Sequence, residues 1–399
     1  MVNYMWLKSL LFIIFVILFS TNIFAATLSE RTFKRLTVIH DLMGESKYDE
    51  ALVLLDKLRP KTRNKKYEYA NVMQTYAFAY AAKDQYKKAV TAFRESLSTN
   101  ALPDIVQLPI RYNMAQLLAA IPNYQESAVS YEEWFSKAEN KSTESYVFGA
   151  TIYAQLNIYS KAVEKIKTAI SMSTAPKESW YQLLLAMYYQ EKKYILSKDV
   201  LETMVSKWPD NKVYWEQLSG IYFTLNENRK ALAVQELSNK RGYLNEEKKL
   251  MNLVNMYLLE SIPYKGAKLL EVSIKKGLIE DSGENLQKLG EAWMVSKEND
   301  KALYYLEKAA LKQGKGKLYL QIAQLYTDTE KWGKVITTID QALKTGNLKN
   351  PGKAYLLLGM AYYEEGKKQK ALTAFREGNK FPKSAKQAKQ WINHLNSNS

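Results

Sequence analysis

Trp215-Glu-Gln-Leu218-Ser219-Gly-Ile-Tyr222, then a turn at Asn226-Glu-Asn228, then Ala231, Val234 and Leu237: this stretch decides the fold. Its first part sets apolar residues at i, i+3 and i+7, which is one stripe of a 3.6-residue helix. Asparagines are turn and N-cap residue types. The last three positions open a second helical stripe. Two helices approach closely only where bulky side chains are absent, so the small residues Ser219 and Ala231 mark the crossing of an antiparallel pair.

The same unit recurs along the chain. A small residue returns at Ala51, Ala89, Ser127, Ala162, Ser197, Ala231, Ala267 and Ala302, and Val335 and Ala371 complete the series. Successive spacings are 38, 38, 35, 35, 34, 36, 35, 33 and 36. An aromatic stands three residues earlier in most copies (Tyr48, Tyr86, Tyr124, Tyr159, Tyr194, Tyr264, Trp332), and an apolar residue stands four later, as at Phe93, Leu306 and Phe375. Four copies depart from the pattern. Ile39, Leu185 and Val335 stand where small residues belong, and the unit from Val254 to Ala267 reads as carrying one extra turn residue. Proline inside a helix costs about 3 kcal/mol. On this scheme all nine prolines, Pro60 and Pro109 among them, fall in turns or open helices.

Trp215, Leu218, Ser219, Tyr222 and Ala231, and again Tyr355, Leu358, Gly359, Tyr362, Ala371 and Phe375, give the chain a resemblance to the tetratricopeptide repeat family over about residues 30–380. The resemblance implies an all-α, right-handed α-solenoid of about ten tetratricopeptide-like helical hairpins with a C-terminal capping helix. A lone hairpin cannot bury its stripe, so neighbours must stack. Residues 383–399 supply the cap: Ala388, Trp391, Ile392 and Leu395 face inward and Lys383, Lys386 and Lys389 outward.

Lys8, the apolar run Leu10–Phe19 and small residues up to Ala25 read as a cleavable signal peptide at 1–25, followed by the repeat array at 26–382. The expected location is the periplasm. The alternative is an uncleaved inner-membrane anchor facing the same compartment, although the run falls short of the roughly 20 residues a span needs.

The chain has 399 residues, no cysteine and two histidines, His40 and His394. Thiolate nucleophiles, Cys-ligated zinc and iron–sulfur clusters are therefore excluded. Neighbouring glutamates such as Glu132-Glu133 point about 100° apart on a helix and make no acid–base pair. Gly314-Lys-Gly316-Lys317 lacks the spacing of a phosphate loop and reads as a turn. His40 reads as a surface or packing residue. No cofactor, metal or catalytic residue is expected, and the chain reads as not an enzyme. The formal charge is +16, and 48 of the 57 basic residues are lysine. Nucleic acid is not expected as a partner, because bidentate recognition favours arginine.

In the resembling family the first helix of each hairpin lines a concave groove. Carried onto this chain, that implies a partner-binding groove at Gln74, Tyr112, Gln116, Gln155, Gln182, Tyr189, Glu216, Phe223, Gln287 and Tyr363. Amides and aromatics suit an extended peptide. The Lys/Asn set with which some members clamp a terminal carboxylate is not recognisable. Lys177–Leu185 and Asn350–Gly359 are also similar to an exported bacterial subfamily that accompanies TonB energy-transduction systems. The expectation is a non-catalytic scaffold or adaptor for a protein or peptide, including envelope transport components and peripheral membrane association. The alternative is a basic cell-envelope adaptor for anionic wall polymer or lipid surfaces.

Overall fold

The computed structural model describes residues 28–346 and 348–397. The expected signal peptide lies outside them. The described residues form 21 helices and no strand, and the chain divides into two compact units at 204/205.

The first unit holds α1 (Glu30–Gly44), α2 (Tyr48–Thr62), α3 (Lys66–Ala82), α4 (Tyr86–Ser98), α5 (Asp104–Ala120), α6 (Tyr124–Phe135), α7 (Thr143–Gln155), α8 (Tyr159–Met172) and α9 (Glu178–Gln190), and α10 (Tyr194–Lys207) carries the division. The second holds α11 (Lys212–Thr224), α12 (Asn228–Lys240), α13 (Glu247–Leu259), α14 (Pro263–Lys275), α15 (Gly283–Val295), α16 (Asn299–Gln313), α17 (Gly316–Asp328), α18 (Trp332–Thr345), α19 (Pro351–Glu364), α20 (Lys368–Asn379) and α21 (Pro382–Ser397). Odd-numbered helices up to α19 open hairpins and the following even-numbered helices close them, which is the α-solenoid architecture expected.

Each hairpin turns on one residue with positive φ: Ser46, Asp84, Pro122, Asn157, Lys192, Asn226, Ser261, Lys297, Glu330 and Gly366. The next residue donates its N–H back to a carbonyl five positions earlier, as Gln85 does to Tyr80 (2.9 Å) and Glu227 to Tyr222 (2.8 Å). This end motif satisfies carbonyls the helix would otherwise leave bare. The small crossing residue follows the turn residue by five positions. After Ser261 that position is Gly266, not Ala267. The seventh hairpin therefore carries no extra residue, contrary to the sequence reading. A Cβ on Gly266 would stand 3.2 Å from Tyr257 Cβ and 3.4 Å from the Val254 carbonyl oxygen, so the crossing is Val254 against Gly266.

That correction explains the other departures. Ile39 faces Ala51, Leu185 faces Ser197 and Ala323 faces Val335, and one member of each pair is small. Close approach needs only one side to give way. Where serine sits at the crossing its hydroxyl is buried but satisfied: Ser127 Oγ donates to Ala115 O (2.7 Å) and Ser219 Oγ to Ala231 O (3.2 Å).

Three sequence expectations are corrected. Pro60 lies inside α2, in its last turn, and Pro109 lies inside α5. α5 begins one turn before the repeat frame, so a proline placed to open the helix ends up as its sixth residue. On α12 the buried stripe is Ala231, Val234 and Ser238, and Leu237 is exposed, because 3.6 residues per turn bring i+7 rather than i+6 onto the face.

Consecutive hairpins are tied by a bond that periodicity did not disclose. A carboxylate on a closing helix accepts a tyrosine hydroxyl from the next opening helix: Asp56 from Tyr76, Glu132 from Tyr153, Glu236 from Tyr257 (2.6 Å) and Glu307 from Tyr326. Glu236 also accepts from Lys265 (2.8 Å), and these two donors hold its carboxyl below the usual range.

The first hairpin is tied by a buried carboxylate. Glu68 on α3 accepts from Thr32 Oγ1 (2.6 Å), the Ser29 N–H (3.2 Å) and Lys65 Nζ (3.1 Å). Burial pushes its pKa up, but these donors outweigh that and leave it lowered. His40 on α1 lies against Thr75 (3.3 Å). Burial lowers its pKa, partly opposed by Asp41. It is a packing residue, as read. Both depressed groups contribute stability that is full above their unfolded pKa and lost as pH falls toward the folded one. The expectation is that amide protection in α1 falls below pH 6.5 through His40, and again below 4.5 through Glu68. Protection in α1 that stays flat from pH 7 to 3 would contradict this.

Candidate functional site

The candidate site is the exposed side of the hairpin-opening helices. In the first unit the predicted residues separate into two kinds. Tyr112 packs against Trp134 (centroids 4.2 Å) and Phe148 (5.6 Å). Burial, reinforced by the Glu144 charge, raises its pKa, and a hydrogen bond with Gln116 opposes the rise. The two therefore form an internal pair, beside a cluster of Tyr131, Phe135, Tyr146 and Lys165, whose Nζ sits 3.8 Å from the Phe135 ring centroid. Gln74 is half-buried, and Gln155 and Gln182 are exposed. Tyr189 is 56% exposed, with its ring edge-on to Tyr194 at 5.8 Å.

In the second unit, Glu216 is engaged by Lys249 (2.6 Å), Gln287 sits in a chain with Glu291 (2.8 Å) and Gln313 (3.1 Å), and Tyr363 lies under Trp391 (5.3 Å) of the capping helix. These three have local structural partners. Phe223 is 52% exposed on α11. One helical turn away, Gly220 is also exposed, and a Cβ there would meet nothing within 4 Å. Mid-helix glycine costs about 1 kcal/mol relative to alanine. No side chain packs over its Cα, although Thr224 Oγ1 donates to the Gly220 carbonyl oxygen (2.9 Å), and the gap leaves a shallow notch beside the ring.

Sequence reasoning missed two apolar side chains on the following opening helices, Leu259 on α13 (59% exposed) and Val295 on α15 (62%). Each stands two residues before its turn residue, Ser261 and Lys297, and Phe223 stands three before Asn226. Position relative to the turn, rather than residue type, was the signal that could have found them. Gly314-Lys-Gly316-Lys317 is a turn, as read: Gly314 ends α16 at φ 61 and Gly316 opens α17. Among the described residues no helix is long and apolar enough to cross a membrane, and no group of three or more His, Asp or Glu could hold a metal ion.

Fold and site together define a helical-hairpin repeat protein with exposed apolar side chains on its opening helices. In fold it is similar to solved tetratricopeptide repeat structures. One, from Parabacteroides merdae, is 15% identical, covers 64% of this chain and 99% of its own, and has a TM-score of 0.31. YrrB, described as a tetratricopeptide protein with an unusual peptide-binding site, is 13% identical over 48% of this chain and 96% of its own (0.37). MamA is 19% identical over 42% and 90% respectively (0.35). No family model matches the chain. No curated protein matches it either.

Proposed function

We propose that this protein is a non-catalytic scaffold that holds an extended segment of a partner protein against its hairpin-opening helices, with Phe223 and the uncovered Cα of Gly220 as the principal contact of the second unit. The observation that carries the reading is that pair: an exposed aromatic beside a helix-interior glycine with nothing packed on it. Leu259 and Val295 extend the apolar surface. Main-chain groups of an extended partner would approach at Gly220 while its apolar side chains cover the ring. The proposal includes export through the residue 1–25 segment, a periplasmic location, and an accessory role beside TonB-type transport, the last resting on the sequence resemblance.

Photo-crosslinking groups placed at Phe223 and Leu259 should capture the same partner from envelope fractions, and a group at Lys240 on α12 should not. Equal capture at all three would remove the assignment. Phe223→Ala should weaken the captured complex about thirtyfold, corresponding to a hot-spot loss of roughly 2 kcal/mol. Gly220→Ala should raise unit stability by about 1 kcal/mol while weakening the same complex. A gain in stability with unchanged affinity would make Gly220 incidental. Amino-terminal sequencing of the cellular protein tests export, and absence of TonB-type proteins from the captured set would remove that part alone.

A further inference from the structure

The capping helix α21 has a face that the scaffold reading leaves unused. It contains no Asp or Glu between Pro382 and Ser397. Ser384, Ala388 and Leu395 are buried, and Lys383, Lys386 and Lys389 are exposed on the other side. Three-residue steps on a helix advance about 4.5 Å each, so these ammonium groups form a row. A fourth lysine lies off the row. The backbone at Gly352 lies against Ser384 so closely that a Cβ there would stand 1.9 Å from Ser384 Oγ. Lys353, the next residue, is exposed, and Lys383 and Lys386 flank the point of contact.

None of the four has an ion-pair partner among the described residues. Some lysines of this unit are engaged, as Lys249, Lys265, Lys275 and Lys380 are by Glu216, Glu236, Glu271 and Glu377, but on α21 no carboxylate is available to do this. The nearby carboxylate Glu377 is already held by Lys380 at 2.6 Å. α19 and α20 pack against α21.

We propose that Lys353, Lys383, Lys386 and Lys389 dock the protein on an anionic lipid surface. Charge complementarity is the first argument, because four exposed lysines without an ion-pair partner lie on or beside a helix that carries no Asp or Glu. Dimensionality is the second. The array spreads over two helices instead of following a line, which matches a sheet of headgroups better than a single acidic strand. Chemistry is the third: lysine is a mobile point charge that serves diffuse attraction, whereas a specific carboxylate partner favours the arginine fork. The exposed side chains around the lysines are Gln387, Gln390, Asn393 and Asn396, so the contact is adsorption at the headgroup layer without insertion. The surface shares no residue with the Phe223 site, and either assignment can fail alone.

The test is sedimentation of the full chain with phosphatidylcholine vesicles, alone or with roughly 30% phosphatidylglycerol. The apolar N-terminal run contributes equally to both, so the difference between vesicle types reports charge. The patch variant is Lys353→Gln/Lys383→Gln/Lys386→Gln/Lys389→Gln. The control of equal net charge is Lys57→Gln/Lys61→Gln/Lys87→Gln/Lys137→Gln, four exposed, unpaired lysines of the first unit. Helical circular dichroism and melting verify that both fold. Wild type and control should favour the anionic vesicles, and the patch variant should lose about a hundredfold or more of that preference, at roughly fivefold per lysine. Salt at about 0.5 M should abolish the preference. Equal losses in patch variant and control, or no preference in wild type, would overturn the proposal. So would tighter binding to soluble polyglutamate than to vesicles when it is lost in the same variant, which would reassign the surface to an acidic protein.

Discussion

Trp293→Ala should lower the stability of the second unit by about 3–5 kcal/mol, the loss typical of emptying a fully buried aromatic site. Trp293 is 1% exposed and lies in the core with Leu289, Leu306 and Tyr326. Tyr264 meets it edge-on at 5.4 Å, and Lys301 Nζ stands 4.2 Å from its ring centroid. In a stacked array each hairpin is sealed by its neighbours, so a cavity at one interface weakens both sides of it. Trp293→Phe is the informative companion. The indole Nε1 is buried without a hydrogen-bond acceptor, so phenylalanine removes an unmet donor along with part of the ring. The expected loss is then under half that of alanine. Thermal melts of the two variants check this, and equal losses would show that packing volume is not what Trp293 supplies.

Gly359→Leu should cost about 1–2 kcal/mol net and release the capping helix before the rest of the second unit melts. A Cβ at residue 359 would stand 2.5 Å from the Phe375 ring. That ring cannot retreat freely, because it is fully buried and stacks on Trp391 of α21 at 5.3 Å with 6° between planes. Overpacking of this kind costs roughly 1–3 kcal/mol or more, and the improved helix propensity of leucine returns only about 1 kcal/mol. The strain passes through Phe375 to Trp391, so tryptophan fluorescence and hydrogen exchange in α21 should report it first. Gly220→Ala moves in the opposite direction, since its surroundings are open. If both substitutions shift the melting temperature with the same sign, the contrast between packed and bare glycine is wrong.

Much of the fold was legible in the primary structure, because the repeat unit is written in residue size. The pairing of Ser219 with Ala231 and of Gly359 with Ala371 marks helix crossings in any chain that places them twelve residues apart. The capping residues Ala388, Trp391 and Leu395 were legible for the same reason, as helical spacing puts them on one face. Legibility failed where size was shared across two helices. Val254 looked like an insertion because its small partner, Gly266, sits one position before the expected Ala267. The tyrosine–carboxylate ties were missed because their partners stand 19 to 21 residues apart on different hairpins, and neither residue type is unusual where it stands.

The candidate site divides in the same way. Residue type and position nominated Tyr112, Glu216, Gln287, Tyr363, Tyr189 and Phe223 alike. Packing then gave the first four local partners, Trp134, Lys249, Gln313 and Trp391, and left the last two substantially exposed. A period in hydrophobicity and size reports which side of its own helix a residue occupies, because that depends on 100° of rotation per residue and nothing else. Whether the side chain is then covered depends on residues 22 to 33 positions away, brought close by stacking. The hairpin, its repetition and its cap were thus determined by local order alone. The bare pair Gly220 and Phe223 and the unneutralised lysines of α21 were decided by tertiary structure, since being unpaired is a property of neighbours that only packing assigns.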